Sequence, residues 1–194
     1  MYEYQKLTQE QRQQLVEERR VKGFPLHQPP HPLQEDAVYL LTAVCYNHIP
    51  HINTPIRRDS LLDALFSQFT AVGMELLAWV ILANHYHLLV HVHDFSLLGN
   101  IFRLIHGRFS FDWNQEENSQ GRKIWYRYTD RMMRSQRHYY TTLNYIHYNP
   151  VKHGYATTPA RWPYSSFERC VKRGWYVSDW GADEPEAVRG MNPE

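Results

Sequence analysis

The sequence predicts an α+β fold of the ferredoxin-like kind, an antiparallel sheet with helices on one face. Two observations point there. Short segments rich in β-forming residues are bounded by turn residues, and longer segments between them carry apolar residues at helical spacing. Their order is strand, helix, strand, strand, helix, strand, which is the βαββαβ arrangement.

Each element has its own signal. Thr8-Gln9-Glu10-Gln11 reads as a capping box that opens a short polar helix through Arg20. The proline-rich stretch 25–32 should be extended, as a linker or as a strap over the domain. Residues 38–46 are rich in β-formers and end at Asn47 and Pro50, which predicts the first strand. Leu61, Leu62, Leu65, Phe66 and Phe69 predict a helix over 59–72, with Asp59 or Ser60 as its cap. Residues 74–82 and 85–93 read as two antiparallel strands joined tightly at Ala83-Asn84, since asparagine tolerates positive φ. Leu97, Leu98, Ile101, Leu104, Ile105 and Phe109 predict a second helix over 96–113. After a polar loop at 114–121, residues 124–128 begin a fourth strand with room to run on towards Met133. Residues 137–148 read as a third helix. The expected divisions are an N-terminal helix and strap (1–36), a main domain (37–156) and a C-terminal extension with an acidic tail (157–194). There is no internal repeat.

Composition narrows the function. The chain of 194 residues is 43% hydrophobic and 14% aromatic, enough to build a core. Two cysteines, Cys45 and Cys170, exclude a disulfide framework and a thiolate-based zinc site, and suggest reduced thiols in a cytoplasm. The polar N-terminus lacks the apolar core of a secretory signal, and the longest apolar run, 76–83, is too short to span a bilayer. The net charge of +1 hides an asymmetry. Residues 101–180 hold 13 Lys or Arg against 6 Asp or Glu, or +7; the rest holds 8 against 14, or −6. One cationic face is expected.

Two short strings carry the chemistry. In Asn84-His85-Tyr86-His87-Leu88-Leu89-Val90, side chains alternate, so His85 and His87 share one face of a strand. Neutral imidazoles there could hold half of a divalent metal site. Tyr86, Leu88, Val90 and Val92 share the apolar face, which leaves the histidines on the open side of the sheet. His91 and His93 have the same parity but lie roughly 20 Å further along the strand, so the two pairs cannot share one ion. Spacing alone does not choose between them, nor between ligand and surface roles.

The second string is Tyr145-Ile146-His147-Tyr148-Asn149-Pro150. On a helical wheel Tyr139, Leu143, Ile146 and Pro150 form the core stripe. Tyr145 sits in the opposite polar stripe with His138, Thr141, Thr142, Tyr148, Asn149 and Lys152. Asn149 is one turn above Tyr145, and its amide oxygen is a hard ligand suited to magnesium or manganese. The plain alternative is an exposed tyrosine followed by a helix-ending Asn-Pro.

Taken together, the strings resemble the REP-associated tyrosine transposases, in the single-tyrosine branch of the HUH (histidine-hydrophobic-histidine) single-strand DNA transposases. His85-Tyr86-His87 matches the HUH motif, and residues 144–155 resemble the tyrosine helix with its Asn-Pro-Val-Lys run. Trp162-Pro163-Tyr164-Ser165-Ser166-Phe167, followed by Gly174-Trp175-Tyr176 and Asp179-Trp180, looks like the group's C-terminal signature. The resemblance covers 38–180.

It implies an HUH endonuclease domain that cleaves and rejoins single-stranded DNA beside imperfect palindromic hairpins. His85, His87 and Asn149 would hold Mg2+ or Mn2+, with Tyr145 as nucleophile and Tyr148 as the fallback. A 5′-phosphotyrosine intermediate conserves the bond energy, so no nucleotide cofactor is needed. The expected setting is the bacterial cytoplasm at the nucleoid, without membrane, as monomer or homodimer. Arg122, Lys123, Arg127, Arg131, Arg134, Arg137 and Lys152 are candidate DNA contacts, the first six interleaved with Trp125, Tyr126 and Tyr128. A domesticated, catalytically weak binder of single-stranded nucleic acid remains the alternative. An RRM-type module would carry an aromatic strand motif that is missing here, and a water-activating hydrolase would want more carboxylates than Asp94 near the histidines.

Overall fold

The computed structural model describes residues 36–190 and, towards the N-terminus, residues 8–11, 13, 14 and 17. The chain divides into two compact units, Met1–Leu33 and Gln34–Glu194. In the first, Thr8 N–H donates to Gln11 Oε1 at 2.9 Å and Gln11 N–H to Thr8 Oγ1 at 3.3 Å, the reciprocal bonds of a capping box. The proline-rich stretch 25–32 lies outside the described residues, as do 191–194.

The second unit contains β1 (Ala37–Val44), α1 (Pro55–Ala71), β2 (Glu75–Ile81), β3 (His85–Val92), α2 (Ser96–Glu116), β4 (Thr129–Met132), α3 (Gln136–Lys152) and α4 (Phe167–Lys172). The sheet order is β2-β3-β1-β4, antiparallel throughout. This is the expected α+β fold. Tyr39, Leu41 and Ala43 of β1 and Tyr86, Leu88, Val90 and Val92 of β3 point to one face. They pack there with Leu61, Leu65 and Phe69 of α1 and Ile101, Ile105 and Phe109 of α2. Among the described residues, no helix is long and apolar enough to cross a membrane.

The other face is not open. Leu40, Ala78, Val80, Leu82 and Leu89 pack there against Leu143 and Ile146 of α3. Burial of two such side chains, roughly 1.5–3 kcal/mol each, outweighs any single hydrogen bond at about 1 kcal/mol. Packing therefore holds α3 on the sheet. The C-terminal extension then closes over α3 and the β2 edge. Ile81 N–H donates to Tyr164 O at 2.8 Å, and Ser166 N–H donates to Trp79 O at 2.9 Å. That pairing shields an edge that would otherwise invite another strand. Tyr176 and Phe167 reach the outer side of α3 at His147, with ring centroids 5.2 and 5.6 Å away.

The largest differences from the sequence reading fall at three boundaries, while α2 also runs on through Glu116 into the expected loop. Helix α1 begins at Pro55, four residues early, because Thr54 caps it by accepting from Arg57 N–H at 3.2 Å and Pro55 occupies the first turn. The fourth strand occupies 129–132, the expected continuation towards Met133, while 124–128 contributes only an isolated bridge at Trp125. Between the Thr42–Thr129 pair and the Cys45–Trp125 bridge, the outer chain has four steps and β1 has three. That extra residue breaks the ladder as a bulge does. Helix α3 does not stop at Tyr148 but carries Asn149 and Pro150 in its last turn. It closes on Gly154 (φ 72°), with Tyr155 N–H donating to Pro150 O at 2.8 Å and Gly154 N–H to Val151 O at 3.0 Å.

Candidate active site

The strand–helix sandwich brings the two motifs together. Thr42, His85, His87, Tyr145 and Asn149 are all 3% exposed or less. His85 Nε2 lies 3.1 Å from Asn149 Oδ1. The His85 and His87 ring centroids are 5.1 Å apart, and His87 meets the Tyr145 ring edge-on at 5.3 Å. Alternation along β3 and the four-residue step along α3 produce this convergence. Asn149 reaches the histidines only because the helix continues through it.

The hydrogen bonds define the imidazoles. Asn84 Nδ2 donates to His48 O at 3.1 Å, which turns its Oδ1 towards His85 Nδ1 at 2.8 Å. That oxygen can only accept, so the His85 proton belongs on Nδ1. Nε2 then presents a lone pair, and the amide oxygen of Asn149 faces it. Two acceptors 3.1 Å apart repel each other; a cation between them relieves the contact, and so does an Asn149 amide turned to donate from Nδ2. The Asn149 Nδ2 atom is buried without a hydrogen-bond partner. His87 Nδ1 lies 2.8 Å from Thr42 Oγ1, its cross-strand neighbour in the β1–β3 register. A hydroxyl can accept there, which directs the Nε2 lone pair of His87 to the site as well. The donor set is thus two imidazoles and an amide oxygen, each oriented by its surroundings. Among the described residues, no three of His, Cys, Asp and Glu converge on a metal position.

Neighbouring groups sharpen the assignment. Lys152 Nζ lies 5.0 Å from the Tyr145 ring centroid, and the His153 ring is 5.0 Å from that of His85. Tyr148 lies outside the cluster, on the part-exposed side of α3, and burial, with Glu184 and Asp183, holds its phenol above the ordinary range. His91 is exposed and meets Asp36 at 3.2 Å, and His93 is exposed as well. The rival histidine pair is therefore on the surface and outside the buried cluster. The cysteines are buried thiols, with desolvation pushing Cys45 up to about 12.

The candidate strand contacts separate into two kinds. Lys123, Arg127, Arg131, Arg134, Arg137 and Lys152 are exposed. Burial, then Arg131 and Arg134, lower the pKa of His138, as expected where cations gather at the start of α3. Arg122 is instead a structural residue. It pairs with Glu117 at 2.6 Å, and its Nε donates to Asn114 Oδ1 at 3.1 Å. Trp125 is buried, stacked on His106 at 4.4 Å, and Tyr128 stacks on Phe102 at 4.1 Å. Of the three interleaved aromatics, Tyr126 keeps the most exposure.

Sequence reasoning missed Thr42 and Asn84. Thr42 becomes visible only once the strand register is known. Asn84 was expected to serve a positive-φ turn. The positive-φ residues nearby are instead Asn47 (54°) and His48 (55°), and Asn84 bridges that strained turn to His85.

No protein-family profile matches the chain. A Haemophilus influenzae protein described as a putative REP-associated tyrosine transposase is 43% identical over 68 residues, 34% of this chain and 39% of that protein. The chain therefore spans about two fifths of that relative. An Escherichia coli REP-associated tyrosine transposase is 35% identical over 121 residues, 60% of this chain and 68% of that protein. Among solved structures, a REP-associated tyrosine transposase bound to a REP hairpin superposes with a TM-score of 0.66 at 25% identity. That similarity covers 85% of this chain and 98% of the other.

Proposed function

This chain belongs to the REP-associated tyrosine transposase family, and from that premise we propose that it cleaves and rejoins single-stranded DNA beside a REP-like hairpin. The observation that carries this reading is the meeting of His85, His87, Asn149 and Tyr145 in one buried cluster. The hairpin-bound structural neighbour supports the substrate class.

His85, His87 and Asn149 would hold a divalent cation such as Mg2+ or Mn2+. When bound, it neutralises the scissile phosphate and orients it for in-line attack. The oriented lone pairs and the amide oxygen fit such an ion. Thr42 and Asn84 fix the two rings, so little reorganisation is needed at the moment of reaction.

Tyr145 is the nucleophile. Its phenol, with an ordinary pKa of about 10, needs help at neutral pH. Lys152 Nζ, 5.0 Å from the ring centroid, would meet the phosphate that Tyr145 attacks. As the bond from the Tyr145 oxygen to phosphorus forms, the bond from phosphorus to the 3′-oxygen breaks. The phenol loses its proton and the 3′-oxygen gains one. The product is a 5′-phosphotyrosine and a free 3′-hydroxyl. A 3′-hydroxyl attacking in reverse rejoins a strand with no nucleotide consumed. Tyr145 is 1% exposed, so the strand must displace something to reach it. Lys152, long and exposed, is the group placed to swing aside.

The test is incubation of the full chain with an end-labelled library of genomic single strands that include hairpins, in Mn2+. We expect a labelled adduct that survives denaturing electrophoresis and disappears with EDTA. Cleavage without a protein-linked product would point to a water-activating nuclease instead.

A further inference from the structure

Outside the buried cluster, the turn after β1 and the segment before β4 form an aromatic group that reaches solvent at Tyr126, with Tyr46 half-buried beneath it. Tyr46 and Tyr126 lie 4.9 Å apart between ring centroids, tilted by 52°, with the His48 ring 6.5 Å from Tyr126. Lys123 Nζ sits 4.5 Å from the Tyr46 ring and 5.4 Å from Tyr126. Tyr126 is 37% exposed, and Lys123, Asn47 and His48 are exposed around it. An exposed ring and a half-buried one beside an exposed lysine offer what a nucleobase and its phosphate require.

The group is tied to the active site. Tyr126 donates its hydroxyl proton to Asn47 Oδ1 at 3.1 Å. Asn47 and His48 are consecutive non-glycine residues with φ of 54° and 55°, a conformation that needs support from its surroundings. The next link is Asn84, which donates to His48 O and whose Oδ1 meets His85 Nδ1. Rings, strained turn and His85 form one connected set.

We propose that Tyr46, Tyr126 and Lys123 are a docking platform for one unpaired base of the strand that occupies the active site. The base stacks on the tyrosine rings, and Lys123 moves from the ring faces to the adjoining phosphate. The proposal rests on the single-strand reading above and adds the residues that hold a base.

The experiment measures anisotropy of a dye-labelled pool of random-sequence single strands with the full-length chain, without added metal so that cleavage does not intervene. Tyr126→Ala should weaken binding roughly 5- to 150-fold, the range expected for loss of one stacked base. Tyr126→Phe should bind like the parent, because it keeps the ring and loses only the bond to Asn47. Lys123→Gln should reduce the slope of log affinity against log salt by about 0.7, one phosphate contact on a single strand. Tyr126→Ala binding within twofold of a parent that does bind overturns the platform alone, as does an unchanged salt slope in Lys123→Gln. A parent that binds no strand overturns the platform and the single-strand reading together.

Discussion

His85 Nε2 and Asn149 Oδ1 approach to 3.1 Å although 64 residues separate them in the chain. With Asn84 holding the His85 proton on Nδ1, the Nε2 lone pair and the Asn149 amide converge on one position, where a cation would take both as ligands once the amide presents its oxygen. Mn2+ should therefore stabilise the fold by about 2.7 kcal/mol at a hundred times its Kd. His87→Ala and Asn149→Leu should remove most of that gain. Calorimetric titration with Mn2+ and unfolding with and without the ion check this. A gain unchanged in both variants places the ion elsewhere.

Ser166 ties α3 to β2. Its Oγ accepts from Trp79 N–H of β2 at 3.0 Å and lies 2.8 Å from His147 Nε2 of α3, between Tyr145 and Asn149 in sequence. Ser166→Ala should cost about 1–3 kcal/mol, the penalty for stranding buried partners. It should slow adduct formation more than it weakens strand binding, and urea unfolding beside binding and single-turnover assays separates the effects. Weakened binding at unchanged stability would contradict a positioning role.

The basic residues should divide by experiment as they do by geometry. Arg122→Gln loses contacts to Glu117 and Asn114 and should lower thermal stability while leaving the salt dependence of binding intact. Arg131→Gln, Arg134→Gln and Arg137→Gln should each lower the salt slope by about 0.7 if each meets one phosphate. Melting curves and salt titrations of binding read the two effects.

His106 makes stability depend on acid. Its ring is stacked on Trp125 and its Nε2 lies 2.7 Å from the Tyr86 hydroxyl. The residue keeps some surface in solvent, but the ring is enclosed, and desolvation lowers its pKa from 6.5 to about 3. On acidification the unfolded chain takes up this proton first. The stabilisation is therefore complete above 6.5 and is lost as pH falls towards about 3. The steepest loss approaches about 1.4 kcal/mol per pH unit. His106→Phe should flatten that part of the curve in urea titrations across the range.

Much of this was readable in the residues. Period-two alternation placed His85 and His87 together, and the four-residue step placed Asn149 above Tyr145. The start of α1 was also written in Thr54-Pro55, but the apolar period beginning at Leu61 drew the boundary inward. What the residues could not show was return of the chain. The polar stripe of α3 reads as exposed on a wheel, yet Thr142, Tyr145 and Asn149 are buried against the sheet. His147, outside both expected stripes, is buried under the C-terminal extension, its Nε2 bound to Ser166. Thr42 needed the register, and Asn84 needed the strained turn at Asn47 and His48. The extra residue between Trp125 and Thr129 interrupts the expected run from 124 to 133, because β-propensity does not count ladder steps.

The central claim is that Tyr145 makes the covalent bond to DNA. The direct measurement is peptide mapping by mass spectrometry of the adduct formed by the parent, with Tyr145→Phe and Tyr148→Phe in parallel. We expect a nucleotide-bearing peptide modified at Tyr145, no adduct from Tyr145→Phe despite retained strand binding, and an adduct from Tyr148→Phe. An adduct that persists in Tyr145→Phe and vanishes in Tyr148→Phe would contradict it.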